Sequence, residues 1–247
     1  MLDNLIVNFR EISLSPAIGV EVEFYITQAL TIEAMESACK KQSRLFYKIE
    51  KEKGENQYEI QLTHSTNIKQ LIEEIYLVKK ILEETAQKHG SEVDFSSKPY
   101  LDGPGNAFHI NLSLHNNNKK PEKKYSLYAI AGLCERMLGS MLDFAPYVTC
   151  YNRFQHPDIN TPTTVSWGYN NRSTAIRVID NRIEHRVPCA DSIPEDVIIR
   201  VLEGALQGIL NKRKPTEPVY GLASQKHYNL TNLPITFTEA KRCYNKY

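Results

Sequence analysis

Two glutamates two residues apart are the first side chains in this sequence that could do chemistry. In IGVEVEFYI, residues 18–26, Glu21 and Glu23 alternate with Val20, Val22 and Phe24. A strand projects residues i and i+2 from one face, so the carboxylates stand side by side. They repel unless a cation or an arginine sits between them; the other reading is a solvated polar face. A second alternating run, Phe108 to Leu114, puts His109, Asn111 and Ser113 on one face and Phe108, Ile110, Leu112 and Leu114 on the other. It follows a loop of Gly103, Pro104, Gly105, Asn106 and Ala107. An imidazole, an amide and a hydroxyl in a row suit a polar ligand and a metal held over a sheet. Glu59 lies in mid-strand and shares a face with Gln57 and Gln61. Glu52 belongs to the charged run before it, either as one more surface charge or as a further member of the cluster.

The segment NRIEHRVP places Arg182, Glu184 and Arg186 on one face of a strand and Ile183 and Val187 on the other. Alternating charges can form a self-satisfied surface ladder. Together with Arg153, Arg172 and Arg177 on neighbouring segments they also suit an anion, because the guanidinium fork binds phosphate and carboxylate bidentately. Oxygen donors with one imidazole favour Mg2+ or Mn2+ over zinc. Divalent metal, arginines and a glycine loop are the parts of phosphoryl transfer from a nucleotide, where positioning and charge neutralisation carry most of the catalysis.

The elements that must position these groups follow from periodicity. Residues 31–47 contain a predicted helix starting at Thr31, and 48–56 form a charged turn around Gly54 that opens a hairpin into Gln57–Leu62. Residues 66–89 form the clearest helix, with Ile68, Leu71, Ile72, Ile75, Val78 and Leu82 inward and Gly90 as its C-cap. Residues 115–124 read as a polar, mobile loop, and 125–143 as a second amphipathic helix. Residues 144–187 are strand and loop, with Arg153 after an aromatic strand, YVTCYNRF. Ser192 and Glu195 form a capping box for a helix over 193–210, and a last helix starts near Phe237.

Composition bounds the classes. At 247 residues, 41% hydrophobic and 24% charged, the chain reads as an ordinary soluble globular protein. A net charge of +1 gives no reason to expect nucleic acid or an acidic membrane as partner. No apolar run reaches the roughly 18 residues of a membrane span, and no signal peptide is read at the N-terminus. Five scattered cysteines without a CxxC pair point to reduced thiols in the cytoplasm.

The blocks GVEVEF, EKGENQYEI, KHGSEVDFSSKP, GPGNAFHINLSL, TCYNRF, WGYNNRSTAIRV and NRIEHRVPCADS resemble, in order, the catalytic domain of glutamine synthetase. The branch that ligates glutamate to larger amines, gamma-glutamylpolyamine synthetase, looks most similar. The resemblance implies an α+β fold, a curved antiparallel sheet (half-barrel) flanked by helices as in the glutamine synthetase and guanido kinase catalytic domains. It also implies ATP as substrate and two Mg2+ or Mn2+ sites, one held by Glu23, Glu52 and Glu59 and the other by Glu21, His109 and Glu184. Gly105, Arg153 and Arg186 match positions that hold glutamate. Arg172 and Arg177 match catalytic arginines that neutralise phosphate, while Ser113, Asn111 and Arg177 match the nucleotide side. The implied reaction phosphorylates the γ-carboxylate of glutamate, and an amine then displaces the phosphate, a step of nitrogen metabolism.

Four departures qualify what the resemblance implies. Asn111 stands where the family has a second histidine, and Asn160, with Asp158 nearby, stands near the family's flap glutamate. Residues 1–247 read as a single catalytic domain without the family's N-terminal β-grasp domain, and without its further C-terminal helices. The partners so implied are glutamate, ATP, an amine, and either further copies of the chain or a second chain supplying the β-grasp domain. The alternative reading is a non-catalytic or remnant paralogue that binds nucleotide and metal weakly or docks onto a full-length synthetase.

Overall fold

The central element is one long strand, β1 (Ser15–Ile26), whose alternation sets the phase of the whole sheet. Ile18, Val20, Val22 and Phe24 are at most 1% exposed, while Glu21 and Glu23 point the other way. The computed structural model describes residues 1–28, 31–116 and 122–244. In chain order the remaining elements are α1 (Leu2–Glu11), α2 (Ile32–Gln42), β2 (Phe46–Lys51), β3 (Gln57–Ser65) and α3 (Ile68–Lys88). They continue through β4 (Val93–Asp94), β5 (Phe108–His115), α4 (Lys123–Arg136), α5 (Met141–Phe144) and α6 (Asn152–Gln155). The last are β6 (Trp167–Tyr169), β7 (Ile176–Ile179), β8 (Arg182–His185), α7 (Pro194–Leu210) and α8 (Phe237–Tyr244).

The strands form one open, 8-stranded sheet in the order β2-β3-β1-β5-β8-β7-β6, with β4 also paired to β1. One face of it and the flanking helices share a single apolar cluster. Phe108, Ile110 and Leu112 of β5 meet Leu71, Ile75 and Val78 of α3 and Val197, Ile198 and Val201 of α7 there. Helices α4 and α7 cross at glycines: a Cβ built on Gly132 would overlap the Gly204 carbonyl, and one on Gly208 the Tyr128 carbonyl. The opposite face of the sheet is polar and carries the site.

The α+β arrangement with outer helices agrees with the sequence reading, but the sheet is mixed. β6 and β7 pair in parallel. Parallel neighbours ordinarily need a long crossover, yet β6 has only 3 residues, and residues 170–175 can span the roughly 10 Å of such a strand. Asn170, at φ 46°, starts that return.

The helix expected within residues 31–47 is α2, with Thr31 as its N-cap; it stops at Gln42, where Glu74 of α3 accepts from the Ser43 hydroxyl and the Arg44 N–H. Phe46 and Ile49 then pair with Leu62 and Ile60 in β2. Three other local expectations fail for identifiable reasons. The helix predicted over 125–143 breaks after Arg136 into a 3-10 turn at Leu138–Ser140 and the short α5. Gly139 is a poor helix former, and Ser140 donates its hydroxyl back to the Arg136 carbonyl. YVTCYNRF is a 3-10 turn (Val148–Tyr151) running into α6, not a strand. Cys150, Tyr151, Arg153 and Phe154 are its buried residues, which is helical spacing.

The capping box is not made. Ile193 is the N-cap of α7 and Pro194 opens it, while Ser192 donates to the Phe144 and Cys189 carbonyls. Helix α1, buried through Leu2, Leu5 and Phe9, had no counterpart in the sequence reading. The predicted cap at Gly90 has φ 67°, and α8 starts at Phe237 as expected. Of the loop expected at 115–124, residues 117–121 lie outside the described residues, while His115 ends β5 and Lys123 opens α4. Among the described residues no helix is long and apolar enough to cross a membrane.

Candidate active site

The polar face gathers its carboxylates through register. Glu21 of β1 pairs with His109 of β5, and Glu23 of β1 with Glu59 of β3. Directly opposed side chains have Cβ atoms roughly 5 Å apart, so β1 delivers one carboxylate to each neighbour. Asn111 of β5 pairs with Glu184 of β8, which in turn pairs with Arg177 of β7. Hydrophobic phase does the aiming: with Phe108 and Ile110 in the core, His109 can only face the cleft.

His109 is the meeting point. Its Nδ1 lies 3.3 Å from a Glu21 carboxylate oxygen, 3.8 Å from Glu59 and 3.8 Å from Glu184. Two donor groups result, Glu21–His109–Glu184 and Glu23–Glu59–His109, with the donor atoms of each within 4.8 Å of one another. Glu52 lines the same cavity but is in neither group. The Glu23 carboxylate is tied to the glycine loop, accepting from the Ala107 N–H at 2.7 Å.

The carboxylates oppose one another electrostatically. Burial, then the neighbouring Glu21 and Glu23 charges, hold Glu59 above the usual carboxylate range. Burial also raises Glu23. Burial works against ionising Glu21, but the His109 hydrogen bond and charge, with Arg182, outweigh it and bring Glu21 below its ordinary value. Buried acids that cannot all ionise together are what a divalent cation relieves. Oxygen donors with one imidazole fit Mg2+ or Mn2+.

Arginines close the other side. Arg177 Nη1 donates to Glu184 at 3.0 Å and its Nη2 to Asn170 at 2.6 Å. Arg186 pairs with the other Glu184 oxygen and reaches the Asn160 carbonyl at 3.4 Å. The Nε atoms of Arg177 and Arg186 are both buried without a partner. Arg172 lines the cavity and, among the described residues, makes no ion pair. Arg153 is 3% exposed. Its Nη1 donates to the Val187 carbonyl at 2.7 Å and its Nη2 to the Arg186 carbonyl at 3.1 Å, making it a strut for that wall.

One cavity of about 270 Å³ is therefore lined by Glu21, Glu23, Glu52, Glu59, His109 and Glu184, together with Gly105, Arg153, Arg172, Arg177 and Arg186. Two predicted residues lie outside it. Asn111 lines an adjoining cavity of about 250 Å³ that shares Glu21, Gln61 and Arg182 with the first. Its Oδ1 is buried without a partner. Ser113 lines neither and sits opposite Arg182 in the β5–β8 ladder.

Sequence reasoning passed over Gln57 and Gln61 as chemistry. Gln57, 1% exposed, donates to the Gly105 carbonyl and the Asn106 side chain, each at 3.0 Å, and accepts from the Gly54 N–H. Gln61 donates to Glu59 at 2.7 Å. Their place on the Glu59 face was the available signal. Thr161, also in the cavity wall, sits in a loop where no periodicity could mark it.

An open sheet with outer helices thus carries convergent carboxylates and arginines on one polar face. The model of the glutamine synthetase catalytic domain matches residues 29–246, and the chain belongs to that family. Gamma-glutamylputrescine synthetase of Escherichia coli (strain K12) is 32% identical over 183 residues, 69% of this chain and 39% of that protein. Glutamine synthetase of Pyrococcus woesei is 30% identical over 206 residues, 76% of this chain and 46% of that protein. The chain thus spans less than half the length of these relatives. The solved GmaS/ADP complex superposes with a TM-score of 0.88 at 19% identity, covering 100% of this chain and 67% of that one, a likeness of fold.

Proposed function

We propose that the cleft takes glutamate, ATP and an amine and forms a γ-glutamyl amide by way of γ-glutamyl phosphate. The observation that carries this reading is the convergence of two carboxylate groups on His109 beside the arginines paired to Glu184. In it, Glu21, His109 and Glu184 hold one Mg2+ or Mn2+, and Glu23 and Glu59, with Glu52, the other. Such metals neutralise phosphate charge and make the γ-phosphorus a better electrophile. Arg153, Arg186 and the Gly105 backbone hold glutamate. Arg172 and Arg177 neutralise charge that develops on the transferred phosphoryl group, while Asn111 and Ser113 lie on the nucleotide side. The γ-carboxylate oxygen attacks phosphorus and ADP leaves; the neutral amine nitrogen then attacks the acyl carbon, phosphate leaves, and the nitrogen gives up one proton to the phosphate or to solvent.

The name of the Escherichia coli relative supports an acceptor larger than ammonia. The reading treats residues 1–247 as one catalytic domain in the cytoplasm, completed by further copies of the chain or by a partner chain. An assay of ADP release with glutamate, Mg2+ and a panel of amines tests it. Release that requires all three is expected. No turnover with any amine, together with no metal-dependent nucleotide binding, would leave the non-catalytic reading in its place.

A further inference from the structure

Behind the wall formed by Arg153 and Gly105, three donors that the ligase reading does not use come together. The Sγ atoms of Cys150 and Cys189 and a carboxylate oxygen of Asp191 lie within 4.8 Å of one another. Both cysteines are 0% exposed. Cys150 Sγ stands 3.4 Å from Asp191 Oδ1. For tetrahedral Zn2+, with bonds of about 2.3 Å to sulfur and about 2.0 Å to oxygen, the sulfur–oxygen edge is about 3.5 Å. The pair already has that spacing. The same Asp191 oxygen accepts the Ser97 hydroxyl at 2.5 Å, a hydrogen bond of the kind that orients a metal-bound carboxylate.

We propose that Cys150, Cys189 and Asp191 form a structural site for a thiophilic divalent cation, Zn2+ in the first instance, distinct from the carboxylate and imidazole groups of the cleft. Thiolate donors select zinc over Mg2+ or Mn2+. Binding displaces a proton from each thiol, and two Zn–S bonds form. Two thiolates and a carboxylate carry three negative charges, which Zn2+ and the Arg153 guanidinium neutralise. Arg153 Nη1 is 3.8 Å from Cys189 Sγ.

The site would join three stretches of the glutamate-side wall. Ser97 accepts the Asn106 N–H of the glycine loop at 2.9 Å through its carbonyl. Cys150 precedes Arg153 by one helical turn, and Cys189 follows the carbonyls that Arg153 holds.

Titration of the 247-residue chain with Co2+ under reducing conditions tests this. One equivalent should produce thiolate-to-cobalt charge-transfer absorption, resist excess Mg2+, release two protons and be displaced by Zn2+. The absorption should vanish in Cys150→Ser and Cys189→Ser, weaken in Asp191→Asn, and persist in Cys39→Ser, whose thiol is buried in α2. Asp191→Asn keeps both thiols, so it remains informative if a cysteine variant fails to fold. A Co2+ spectrum without a thiolate band overturns the proposal. So does a Cys150–Cys189 disulfide in the purified chain, seen as two thiols missing from the five when it is titrated in denaturant.

Discussion

Glu21 and His109 face each other across the β1–β5 ladder, with the carboxylate 3.3 Å from the imidazole Nδ1. The contact ties the two donor groups together, because the same nitrogen also lies within reach of Glu59 and Glu184. How each neighbour responds to losing its charge can be measured.

Glu59 is the carboxylate most opposed by its surroundings. Its folded-state pKa is raised, through burial and then Glu21 and Glu23, from a reference of 4.5. Its contribution to stability is therefore fully present below 4.5 and is lost as pH rises through the folded value. In the presence of a chelator, thermal stability should fall over that window, and Glu59→Gln should flatten the fall. With Mn2+ the order should reverse, and the variant should bind the ion at least ~10-fold more weakly by calorimetry. An unchanged Mn2+ isotherm would remove Glu59 from the metal site.

Arg172 separates function from folding. It is exposed and pairs with no carboxylate among the described residues. Arg172→Ala should leave stability within about 0.5 kcal/mol in urea while lowering ADP release by ~100-fold or more. Turnover equal to that of the parent chain would deny it a catalytic role.

His185 points from β8 into the core, its ring 4.7 Å from Phe144 and both ring nitrogens unpartnered. Burial takes its pKa from 6.5 to about 3. The folded state therefore refuses a proton that the unfolded chain accepts. This term is fully favourable above 6.5 and is lost as pH falls toward 3. His185→Leu should gain on the parent chain by up to about 1.4 kcal/mol per pH unit in that window. Parallel stability curves for the two would show that the ring protonates in place.

Gln57 holds the glycine loop to β3 through the Gly105 carbonyl and the Asn106 side chain. Gln57→Ala strands those acceptors and the Gly54 N–H in the interior, at a cost of about 1–3 kcal/mol. On the proposed role of Gly105, glutamate affinity should fall with it. A variant as stable as the parent would mean that water replaces the amide.

Much of this was legible because the relevant signals are local. Alternation of Val20, Val22 and Phe24 against Glu21 and Glu23 gives the face of β1 without its neighbours, and β3, β5 and β8 read the same way. What periodicity cannot carry is who pairs with whom. The ordered blocks resembling a known family supplied the idea that these strands share a face, and the registers through His109 and Glu184 bear out that proximity. Illegible features depend on distant partners. Glu74 ends α2 from another helix, Ser192 turns to Phe144 instead of capping α7, and Cys150 meets Asp191 41 residues away. The parallel pairing of β6 with β7 escaped because two such short strands leave almost no pattern.

Because β1 supplies Glu21 to one side and Glu23 to the other, both halves of the site depend on a single strand's parity. Inserting or deleting one residue between Val20 and Phe24 would turn a carboxylate into the apolar cluster and an apolar side chain out into the cleft. Point substitutions can erode the site one ligand at a time. A frame slip in β1 just ahead of Glu21 would turn both carboxylates away from the cleft in one event and spoil the core with them, so this strand should be the least tolerant of length variation in the chain.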